Sequence, residues 1–560
     1  MNQTTFLSAF LSHCEETPDK VWLTQPMNNK GVLKTWTFKE ALDEAKQMAG
    51  FLESKNFEKG TKIAICSKNC AWWVLADISI MLAGHVSVPV YPTLTRDTTA
   101  YILEHSESKL LFVGKLDQKP WEEMKIGIPD DLEKVCLPLG IDSSVGARWN
   151  DLIEKAESIK ETVDRAPEEL ATIIYTSGST GKPKGVMLSF KAMTAAVSTI
   201  CDVYNISARD RWLSYLPLSH AMERFLMNCC MHSGMVIYYP WSLDTFVVDL
   251  QRCRPTVFVS VPRLWMKFQQ AVTSKLPNVW LQFLLRIPII GGLVQKKILS
   301  GLGLDACRFA ISGSAPISPE LLMFYSRLGL NMMEGYGMTE NYALSHCGRI
   351  GRTRVGYVGE TYPGVEHRLT EEGEVEVKTP GLMMGYFKNE EATKATITED
   401  GWLKTGDRGS IDKMGRLKIT GRTKEIFKTS KGKYVAPSPI ENKLNVSDHI
   451  ELSCVTGTGF PQPFAILQLS EASKKAASES LKAQAEITKQ LEAFRKGSIN
   501  KVVDPHEALD RLVIVKDEWL PENGLLTPTQ KMMRTKIENK YKSHYEQWSS
   551  SKKTVVWHGW

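Results

Sequence analysis

Hydrophobic and polar residues alternate along the first third of the chain with two different periods. In "FKEALDEAKQMAGFLESKN" (38–56) the apolar residues recur at helical spacing, which predicts an amphipathic helix. The residues on that face are Leu42, Ala45, Ala49 and Leu52. "KIAIC" (62–66) then predicts a strand, "CAWWVLADISIMLAGH" (70–85) a mostly apolar helix, and "VSVPVY" another strand.

Further strand-like runs separated by helical patterns continue to about residue 316. They are "KLLFVG", "LATIIYTSG", "RWLSYLP", "MVIYYP", "PTVFVSVP" and "ACRFAISGSAP". Alternation of this kind predicts an α/β fold with largely parallel sheets. Around residue 370 the pattern changes to short strands with Gly turns, in "GEVEVKTPG", "GWLKTGDRG" and "GRLKITGR".

The tail from about residue 422 is shorter than the part before it and rich in lysine. It contains one stripe of apolar residues at helical spacing. The stripe consists of Ala483, Ile487, Leu491 and Phe494. We interpret it as a packing face rather than a groove for a partner. Because 560 residues exceed what one hydrophobic core organises, at least two domains are expected.

Composition narrows the function classes. The 69 basic and 63 acidic residues leave a net charge of +6, too small to predict a nucleic-acid partner. The eleven cysteines lack the spacing of a zinc site or a redox pair, so we expect buried thiols in a reducing cytosol. The first twenty residues do not have the pattern of a secretory signal.

The most apolar stretch, "VWLQFLLRIPIIGGLV" (279–294), is interrupted by Arg286, Pro288 and two glycines. It is shorter than the roughly twenty apolar residues that a membrane-spanning helix needs. We therefore expect a buried or membrane-touching segment.

The main candidate for chemistry is "YTSGSTGKPKGVMLSF" (175–190), which follows a strand-like run. Glycines at 178, 181 and 185 let the backbone adopt positive φ and approach a ligand closely. Successive amides in such a turn form a concavity that binds anions. The loop adds hydroxyls and two lysines suited to a polyphosphate: Thr176, Ser177, Ser179, Thr180, Lys182 and Lys184.

Two alternatives exist for this loop. A Walker loop would need glycine at position 176, where threonine stands, and Ser or Thr after the lysine, where Pro183 stands. The Walker pattern therefore fails twice. The other alternative, a Gly-rich surface turn without a ligand, is open from composition alone.

The loop resembles the signature of the adenylate-forming superfamily, and seven further motifs follow in that family's order. They are "LPLSHAMER" (216–224), "VPRLW" (261–265), "SGSAP" (312–316), "EGYGMTE" (334–340), "GWLKTGD" (401–407), "GRTKEIFKTSKGKYVAPSPIE" (421–441) and "NGLLTPTQK" (523–531). The versions at 216–224, 261–265 and 525–531 most resemble long-chain fatty acid-CoA ligases.

The resemblance implies an α/β fold in two domains. Residues 1–421 would form a large adenylation domain of mixed and parallel sheets, with flanking helices and a small β-barrel-like part. Residues 422–560 would form a small, mobile α+β lid domain. It also implies a reaction in which a carboxylate attacks the α-phosphate of ATP, giving acyl-adenylate and pyrophosphate, after which the thiol of CoA displaces AMP.

The resemblance assigns roles to residues of the large domain. The phosphate loop would comprise Thr176, Ser177, Gly178, Ser179, Thr180, Gly181 and Lys184. Tyr336 and Gly337 would bind adenine, opposite Gly313, Ser314, Ala315 and Pro316. Thr339 would lie near the α-phosphate, and Glu340 with Thr180 would hold Mg²⁺, a cation that prefers oxygen ligands. His220 would lie near the carboxylate and the acyl entrance.

Asp407 and Arg422 would bind the ribose, and the remaining assignments fall in the tail. Lys531 would be the catalytic lysine that reaches the carboxylate and the α-phosphate, and Lys424 would mark the hinge. Gly432 and Lys433 would border the CoA channel. Without the motifs, each of these residues would be read as an ordinary core, capping or solvated side chain.

Two positions depart from the pattern of many relatives. Phe190 stands where many have histidine, which would alter the acyl channel, and Lys431 with Gly432 replaces a Gly-Gly pair.

The function expected from the sequence is ATP-dependent activation of a fatty acid, with fatty acid, ATP and CoA as its small-molecule substrates. Transfer of the acyl group to a carrier protein and a non-catalytic nucleotide or fatty-acid sensor are the alternatives, with a luciferase-type oxygenase more distant. We expect a cytoplasmic enzyme, with peripheral contact at the inner membrane face as a hypothesis. The sequence leaves chain length and oligomeric state open.

Overall fold

The computed structural model describes residues 5–142, 144–162, 165–176, 182–527 and 530–560. The chain divides into two compact units. The first comprises Met1–Ala315, Pro319–His367 and Val377–Lys404, and the second comprises Pro316–Ser318, Arg368–Glu376 and Thr405–Trp560.

The largest sheet of the first unit has eight strands and is parallel except at one edge. In spatial order the strands are Gly385–Tyr386, Lys184–Ser189, Leu170–Thr176, Val86–Val90, Lys62–Cys66, Leu110–Val113, Glu133–Cys136 and Ala147–Arg148. The first two pairings are antiparallel and the others parallel. Parallel neighbours need crossover connections, which explains the intervening helical patterns.

Two further sheets complete the first unit. One has the order Val257–Ser260, Phe309–Ser312, Met332–Tyr336, His346–Cys347 and Glu360–Thr361. The other has the order Arg211–Leu213, Val236–Tyr238, Val21–Pro26 and Leu33–Thr37. Each strand-like run identified before residue 316 forms a strand, so the predicted mixed α/β class is confirmed.

Helices surround these sheets. They are Phe6–Glu16, Phe38–Ser54, Ala71–Leu82, Arg96–His105, Gln118–Met124, Trp149–Lys155, Phe190–Tyr204, Ala221–Ser233, Phe246–Cys253, Pro262–Thr273, Asn278–Arg286, Ile290–Leu302, Pro319–Arg327 and Glu390–Thr396, with 3₁₀ turns at Lys125–Gly127 and Thr339–Asn341. The predicted amphipathic helix begins after a capping box formed by Thr37 and Glu40. The predicted apolar helix, Ala71–Leu82, is buried along its whole length.

Phe190, the first residue of its helix, belongs to the core of the first unit. Its side chain is fully buried, and its ring stacks on Phe6 with centroids 5.5 Å apart. The guanidinium of Arg165 lies 4.9 Å from the centre of the same ring. These contacts give Phe190 a packing role in this chain.

The second unit contains smaller sheets. Most residues of a four-stranded sheet belong to it, with the order Glu366–Leu369, Glu374–Lys378, Leu403–Ile411 and Leu417–Arg422. A two-stranded sheet joins Phe427–Lys428 to Tyr434–Val435. A third sheet has the order Ile450–Thr456, Phe464–Leu469, Leu512–Val515 and Val555–His558.

The helices of the second unit are Pro437–Leu444, Glu471–Glu479, Leu481–Phe494, Arg534–Tyr541 and Tyr545–Ser550, with a π turn at Arg495–Ile499 and a 3₁₀ turn at Lys542–His544. Within the helix Leu481–Phe494, Ile487 and Leu491 are buried in the core of the unit, and Phe494 packs against it. The interpretation of this stripe as a packing face is confirmed.

All eleven cysteines are free thiols; Cys307 is half-buried and the other ten are buried. Across the described ranges, every helix is too short or too polar to cross a membrane. The apolar stretch 279–294 falls within two successive helices, Asn278–Arg286 and Ile290–Leu302.

Candidate active site

The predicted phosphate loop joins two antiparallel strands of the large sheet. Leu170–Thr176 leads into it and Lys184–Ser189 leaves it, with Thr176 opposite Lys184. Five of the predicted loop residues lie outside the described residues: Ser177, Gly178, Ser179, Thr180 and Gly181. The structure therefore describes the two ends of the loop.

Gly185 has a different role from the one expected. It lies within the strand, opposite Tyr175, and its φ is not positive. A Cβ added there would lie 2.8 Å from Cγ2 of Ile173 and 3.2 Å from Cζ of Tyr175. Glycine is needed at this position because the neighbouring side chains leave no room.

The two lysines of the loop segment lie over tyrosine rings. The ammonium of Lys184 is 4.8 Å from the centre of the Tyr386 ring, and that of Lys182 is 5.0 Å from the centre of the Tyr101 ring. Tyr386 is held beside the loop because it pairs with Val186 across the antiparallel edge of the sheet. Such cation–π contacts hold an ammonium against the face of the ring.

Tyr386 also contacts Glu340, the predicted Mg²⁺ ligand. Its hydroxyl donates a hydrogen bond of 2.8 Å to Oε1 of Glu340, whose exposed fraction is only 8%. The backbone N–H of Met383 donates to the carbonyl of the same glutamate at 2.8 Å. Burial, together with the charge of Glu340, raises the pKa of Tyr386 above its ordinary value, so its hydroxyl stays protonated as a donor.

Sequence reasoning missed Tyr386. It lies 46 residues from Glu340, and a lone tyrosine in "GYFKNEE" has no spacing that relates it to either the loop or the glutamate. The strand pairing that brings it to the phosphate loop involves only Gly385 and Tyr386. So short a strand gives no periodic signal.

Tyr336 ends a strand of the five-stranded sheet, and the other predicted residues of "EGYGMTE" follow directly. Thr339 and Glu340 are buried in the short 3₁₀ turn Thr339–Asn341. Gly337 is required there because an added Cβ would lie 2.7 Å from Cα of Ala343. The tight turn fixes Glu340 close to the end of the strand that carries Tyr336.

Two histidines lie in a row next to Tyr336. Tyr336 pairs with His346 across the strands, and their ring centroids are 6.0 Å apart. Nε2 of His346 lies 2.8 Å from Nδ1 of His367, and Nδ1 of His346 lies 2.9 Å from the hydroxyl of Ser345. Burial, then the charges of His367 and Arg349, lower the pKa of His346 to about 3. His346 is therefore neutral at physiological pH.

The segment expected to face adenine follows the adjacent parallel strand, where Ser312 pairs with Glu334. Ser314 has φ of 65°, and its hydroxyl lies 3.6 Å from Sδ of Met222. A Cβ on Gly313 would lie 3.3 Å from the same sulfur. This segment therefore meets the helix that follows "LPLSH". Ala315 is the last residue of the first segment of the first unit, and Pro316 belongs to the second unit.

His220 caps that helix. Its Nδ1 accepts a hydrogen bond of 3.1 Å from the backbone N–H of Met222, and the helix Ala221–Ser233 begins at the next residue. This is the contact of a structural histidine. Its predicted place near the acyl entrance stays a prediction.

The last two residues of the same motif anchor the helix in the core. Glu223 is fully buried and accepts hydrogen bonds from Asn69, Ser214 and the N–H of Tyr215; its burial raises its pKa well above the ordinary value. Arg224, also fully buried, donates to Asp77 at 2.6 Å. Buried ionisable groups of this kind need polar partners, and both residues have theirs outside the motif, which fixes the helix in the core.

Within the second unit, Asp407 and Arg422 are directly opposite each other on adjacent antiparallel strands. Nε of Arg422 lies 3.2 Å from Oδ1 of Asp407. The side chain of Asp407 is 10% exposed and that of Arg422 is 56% exposed. The structure therefore brings together the two residues that were predicted to bind the ribose.

The other predicted residues of the second unit are on its surface. Lys424, Lys433 and Lys531 are exposed. Gly432 has φ of 77° and closes the turn between two short strands, where its N–H donates to the carbonyl of Thr429. This turn needs the left-handed conformation that favours glycine.

The backbone of Lys531 is hydrogen-bonded to Thr527. Its N–H donates to the Thr527 hydroxyl at 3.0 Å, and its carbonyl accepts from the Thr527 N–H at 2.7 Å. The neighbouring residues Leu526 and Met532 form an isolated antiparallel bridge. These contacts fix the backbone at Lys531.

Solved structures of adenylating enzymes share this fold. The anthranilate CoA ligase AuaEII in complex with anthranoyl-AMP aligns with a TM-score of 0.77 at 20% identity, covering 97% of this chain and 98% of that one. The adenylation domain of the carboxylic acid reductase from Segniliparus rugosus, solved with AMP and a co-purified carboxylic acid, aligns with a TM-score of 0.80 at 20% identity, covering 98% and 95%.

Curated relatives are similar to this chain along most of their length. Long-chain-fatty-acid–CoA ligase FadD15 of Mycobacterium bovis is 28% identical and covers 95% of this chain, which in turn covers 95% of it. Long chain acyl-CoA synthetase 7, peroxisomal, of Arabidopsis thaliana is 30% identical, with coverage of 89% and 79%. Long-chain-fatty-acid–CoA ligase 1 of Homo sapiens is 30% identical, with coverage of 91% and 82%.

Two family profiles match consecutive parts of the chain. The profile described as AMP-binding enzyme matches residues 10–387, which is more than half of the chain. The profile described as AMP-binding enzyme C-terminal domain matches residues 424–551. The chain therefore belongs to the AMP-binding enzyme family, within the adenylate-forming superfamily.

Proposed function

We propose that this enzyme activates a long-chain fatty acid with ATP, forming an acyl-adenylate and pyrophosphate, and then transfers the acyl group to CoA with release of AMP. The observation that carries the proposal is the Lys184–Tyr386–Glu340 connection in the first unit. It joins the end of the phosphate loop to a buried carboxylate. A loop that only turned the chain would have no need of that connection.

The residues present fit a magnesium ion. Glu340 has one oxygen bonded to the neutral hydroxyl of Tyr386, so its charge and its other oxygen suit a hard cation. Mg²⁺ is commonly bound through one or two carboxylates together with substrate phosphates. Glu340, with Thr180, would hold the ion, which when bound neutralises charge on the phosphate oxygens.

Adenylation brings two anions into contact, and the chain's cations offset their repulsion. At 4 Å that repulsion is about 4 kcal/mol per charge pair at an effective dielectric near 20. Lys184 and the amides of residues 176–181 would hold the β- and γ-phosphates. Lys531 would place its ammonium between the carboxylate and the α-phosphate, and Thr339 would donate near the same phosphate.

The rest of the nucleotide is assigned to the other predicted residues. Tyr336 and Gly337 would contact adenine on one side and residues 313–316 on the other. Asp407 would accept hydrogen bonds from the ribose hydroxyls, with Arg422 as its ion-pair partner. His220 would lie at the acyl entrance.

The tail is proposed to serve both half-reactions. In this proposal residues 1–421 form the adenylation domain and residues 422–560 the lid, which turns about Lys424. One orientation presents Lys531 for adenylation, and the other presents the turn with Gly432 and Lys433 for CoA. Closure completes the site for one step and opening dismantles it.

The preference for long chains is supported by the names of the relatives, which include two long-chain-fatty-acid–CoA ligases and a long chain acyl-CoA synthetase. Enclosing a sixteen-carbon tail would contribute up to roughly 11 kcal/mol, so an apolar channel would dominate affinity. A cytoplasmic location is part of the same proposal.

The experiment that tests the function is ATP–pyrophosphate exchange across a ladder of acids from acetate to oleate, followed by addition of CoA. We expect Mg²⁺-dependent exchange that is fastest with long chains, and acyl-CoA once the thiol is present. Fastest exchange with short or aromatic acids would contradict the long-chain assignment. Absence of exchange with every acid would support the sensor instead.

A second arm separates the acceptors. CoA is replaced by a phosphopantetheinylated acyl carrier protein after the adenylate has formed. Thioester on the carrier but not on CoA would favour the carrier-loading alternative. Thioester on CoA alone is the result that the proposal expects.

A further inference from the structure

The first unit exposes a cluster of large apolar side chains on two successive helices. We call the helices Asn278–Arg286 and Ile290–Leu302, with the residues that join them, the apolar helix pair. Its exposed side chains are Val279 (80%), Trp280 (62%), Phe283 (58%), Ile289 (84%), Ile290 (44%) and Leu293 (64%). The rings of Trp280 and Phe283 lie with their centroids 6.4 Å apart, and exposed apolar patches larger than single side chains mark interaction surfaces.

The inner side of the apolar helix pair is fixed to the protein. Leu281 and Leu302 are buried, with exposed fractions of 1% and 8%, and the two helices contact each other. The outward side chains are therefore presented on an anchored scaffold. Trp280 is the only exposed tryptophan, all tryptophans lying within the described ranges.

The residue that joins the two helices is strained as well as exposed. Ile289 has φ of 67° and ψ of −54°, and the N–H of Ile290 donates across it to the carbonyl of Pro288 at 2.8 Å. A β-branched residue in this conformation is a true outlier. A strained bend that holds a large apolar side chain outward indicates a functional rather than a packing role.

Charge along the segment that contains the pair has one sign, although Glu320 of the helix Pro319–Arg327 lies near Asn278 and Gln282. From Pro262 to Leu304 the chain contains no Asp or Glu, although acidic residues number 63 in the 560-residue chain. The same segment contains Arg263, Lys267, Lys275, Arg286, Lys296 and Lys297. Lys267, Lys275, Arg286, Lys296 and Lys297 are all exposed.

We infer that the apolar helix pair docks the enzyme onto the surface of an anionic phospholipid bilayer. Apolar and aromatic side chains would enter the interface while the lysines remain at the level of the charged headgroups. A second copy of this chain is a poorer occupant, because its own cationic rim would face the first. The inference concerns docking alone and holds whether or not the proposed chain-length preference is correct.

The first test is binding of the full chain to vesicles of phosphatidylcholine with 30 mol% phosphatidylglycerol, measured by flotation and by quenching of tryptophan fluorescence with brominated lipid. We expect flotation with these vesicles, little flotation with pure phosphatidylcholine, and quenching that is lost in Trp280→Phe. Equal flotation with both vesicle types, or quenching that persists in Trp280→Phe, would overturn the inference.

The second test removes the apolar contact. Phe283→Asp and Ile289→Asp are each expected to lower vesicle affinity by at least tenfold. Leu243→Asp is the matched control, because Leu243 is 85% exposed and lies outside the pair. Circular dichroism and thermal unfolding report whether each variant has folded. Unchanged affinity in folded Phe283→Asp would overturn the inference.

The third test removes charge. The double variant Lys296→Gln/Lys297→Gln is expected to bind anionic vesicles about thirtyfold more weakly, and the loss should shrink as salt is raised. Sedimentation without lipid tests the competing occupant. Self-association that Phe283→Asp abolishes would assign the surface to a second copy instead. Failure of the proposed ligase activity in the exchange assay would leave these binding results unaltered.

Discussion

The hydroxyl of Tyr386 donates a 2.8 Å hydrogen bond to Oε1 of Glu340, and the ring of the same tyrosine lies beside the ammonium of Lys184. One side chain therefore contacts the two charged groups that the proposal assigns to the metal and to the phosphates. Because Tyr386 is held by strand pairing next to the loop, it couples the position of the carboxylate to that of the lysine.

Tyr386→Phe should weaken adenylation without unfolding the protein. The ring and its contact with Lys184 remain, and only the hydrogen bond to a charged group is lost, which is typically about 1.5–3 kcal/mol. We expect a ten- to hundredfold fall in kcat/KM for pyrophosphate exchange and a higher Mg²⁺ concentration at half-maximal rate. Exchange rates measured across a Mg²⁺ titration check both.

The matched control is Tyr325→Phe. Tyr325 is fully buried in the same unit, and its hydroxyl donates to the carbonyl of Trp265, so the variant also loses one buried hydrogen bond. It should lower thermal stability without changing the Mg²⁺ requirement. An unchanged Mg²⁺ requirement in Tyr386→Phe would show that the tyrosine does not position Glu340.

The amphipathic helix Phe38–Ser54 and the buried strand Lys62–Cys66 could be predicted from sequence because their signals are local. Periodicity places Ala45 and Ala49 on the core side of the helix, and a short apolar run flanked by turns marks the strand. The candidate site residues Tyr336 and Glu340 could be named only through motif order. Neither residue type at that spacing is specific by itself.

What the sequence could not predict depends on long-range pairing. Tyr386 contacts Val186 and Glu340 only once its short strand has paired with the edge of the sheet, and no local sequence pattern predicts these contacts. The role predicted for Gly185 was wrong for a related reason. A glycine in a Gly-rich loop suggests backbone freedom, whereas its need here arises from Ile173 on the neighbouring strand.

Lys531→Ala should abolish adenylation while leaving the fold intact. Lys531 is exposed, so its removal should change stability by no more than about 0.5 kcal/mol. Loss of a group that stabilises developing charge typically costs about 10²–10³ in rate. Pyrophosphate exchange should fall by at least that factor, whereas thioester formation from supplied acyl-adenylate and CoA should be largely retained.

Lys542→Ala is the control for that experiment. Lys542 is another exposed lysine of the second unit, outside the motif. It should leave both half-reactions unchanged. Equal loss of both half-reactions in Lys531→Ala would indicate a general defect of the tail rather than a role in adenylation.

Breaking the buried Arg224–Asp77 pair should destabilise the first unit strongly. Both side chains are fully buried, and Arg224 also donates to the Ser87 hydroxyl at 2.8 Å. Asp77→Ala leaves a buried guanidinium without its carboxylate, which typically costs about 3–5 kcal/mol. A large fall in the urea midpoint is expected, whereas Glu390→Ala, which breaks an exposed pair with Lys394, should leave the midpoint nearly unchanged.

His346 should make the stability of the protein fall with acid. Burial holds its pKa at about 3 in the folded chain, whereas in the unfolded chain it returns to its ordinary value of 6.5. Well above pH 6.5 the residue is neutral in both states, and its contribution to the free energy of unfolding does not change with pH. Between pH 6.5 and 3 the unfolded chain binds a proton that the folded chain does not, so stability declines by up to about 1.4 kcal/mol per pH unit.

His346→Gln isolates this effect, because glutamine does not titrate and keeps a polar group near Ser345 and His367. At pH 7.5 the variant should unfold at a lower temperature than the parent, since the packing and the hydrogen bonds of the imidazole are altered. The gap should narrow as pH falls from 6.5 to 5, because only the parent bears the cost of excluding a proton at this position. His367, whose own pKa burial also lowers, is present in both proteins, so the difference reports His346. Unfolding temperatures that run parallel over this range would mean that His346 takes up its proton in the folded state as readily as in the unfolded one.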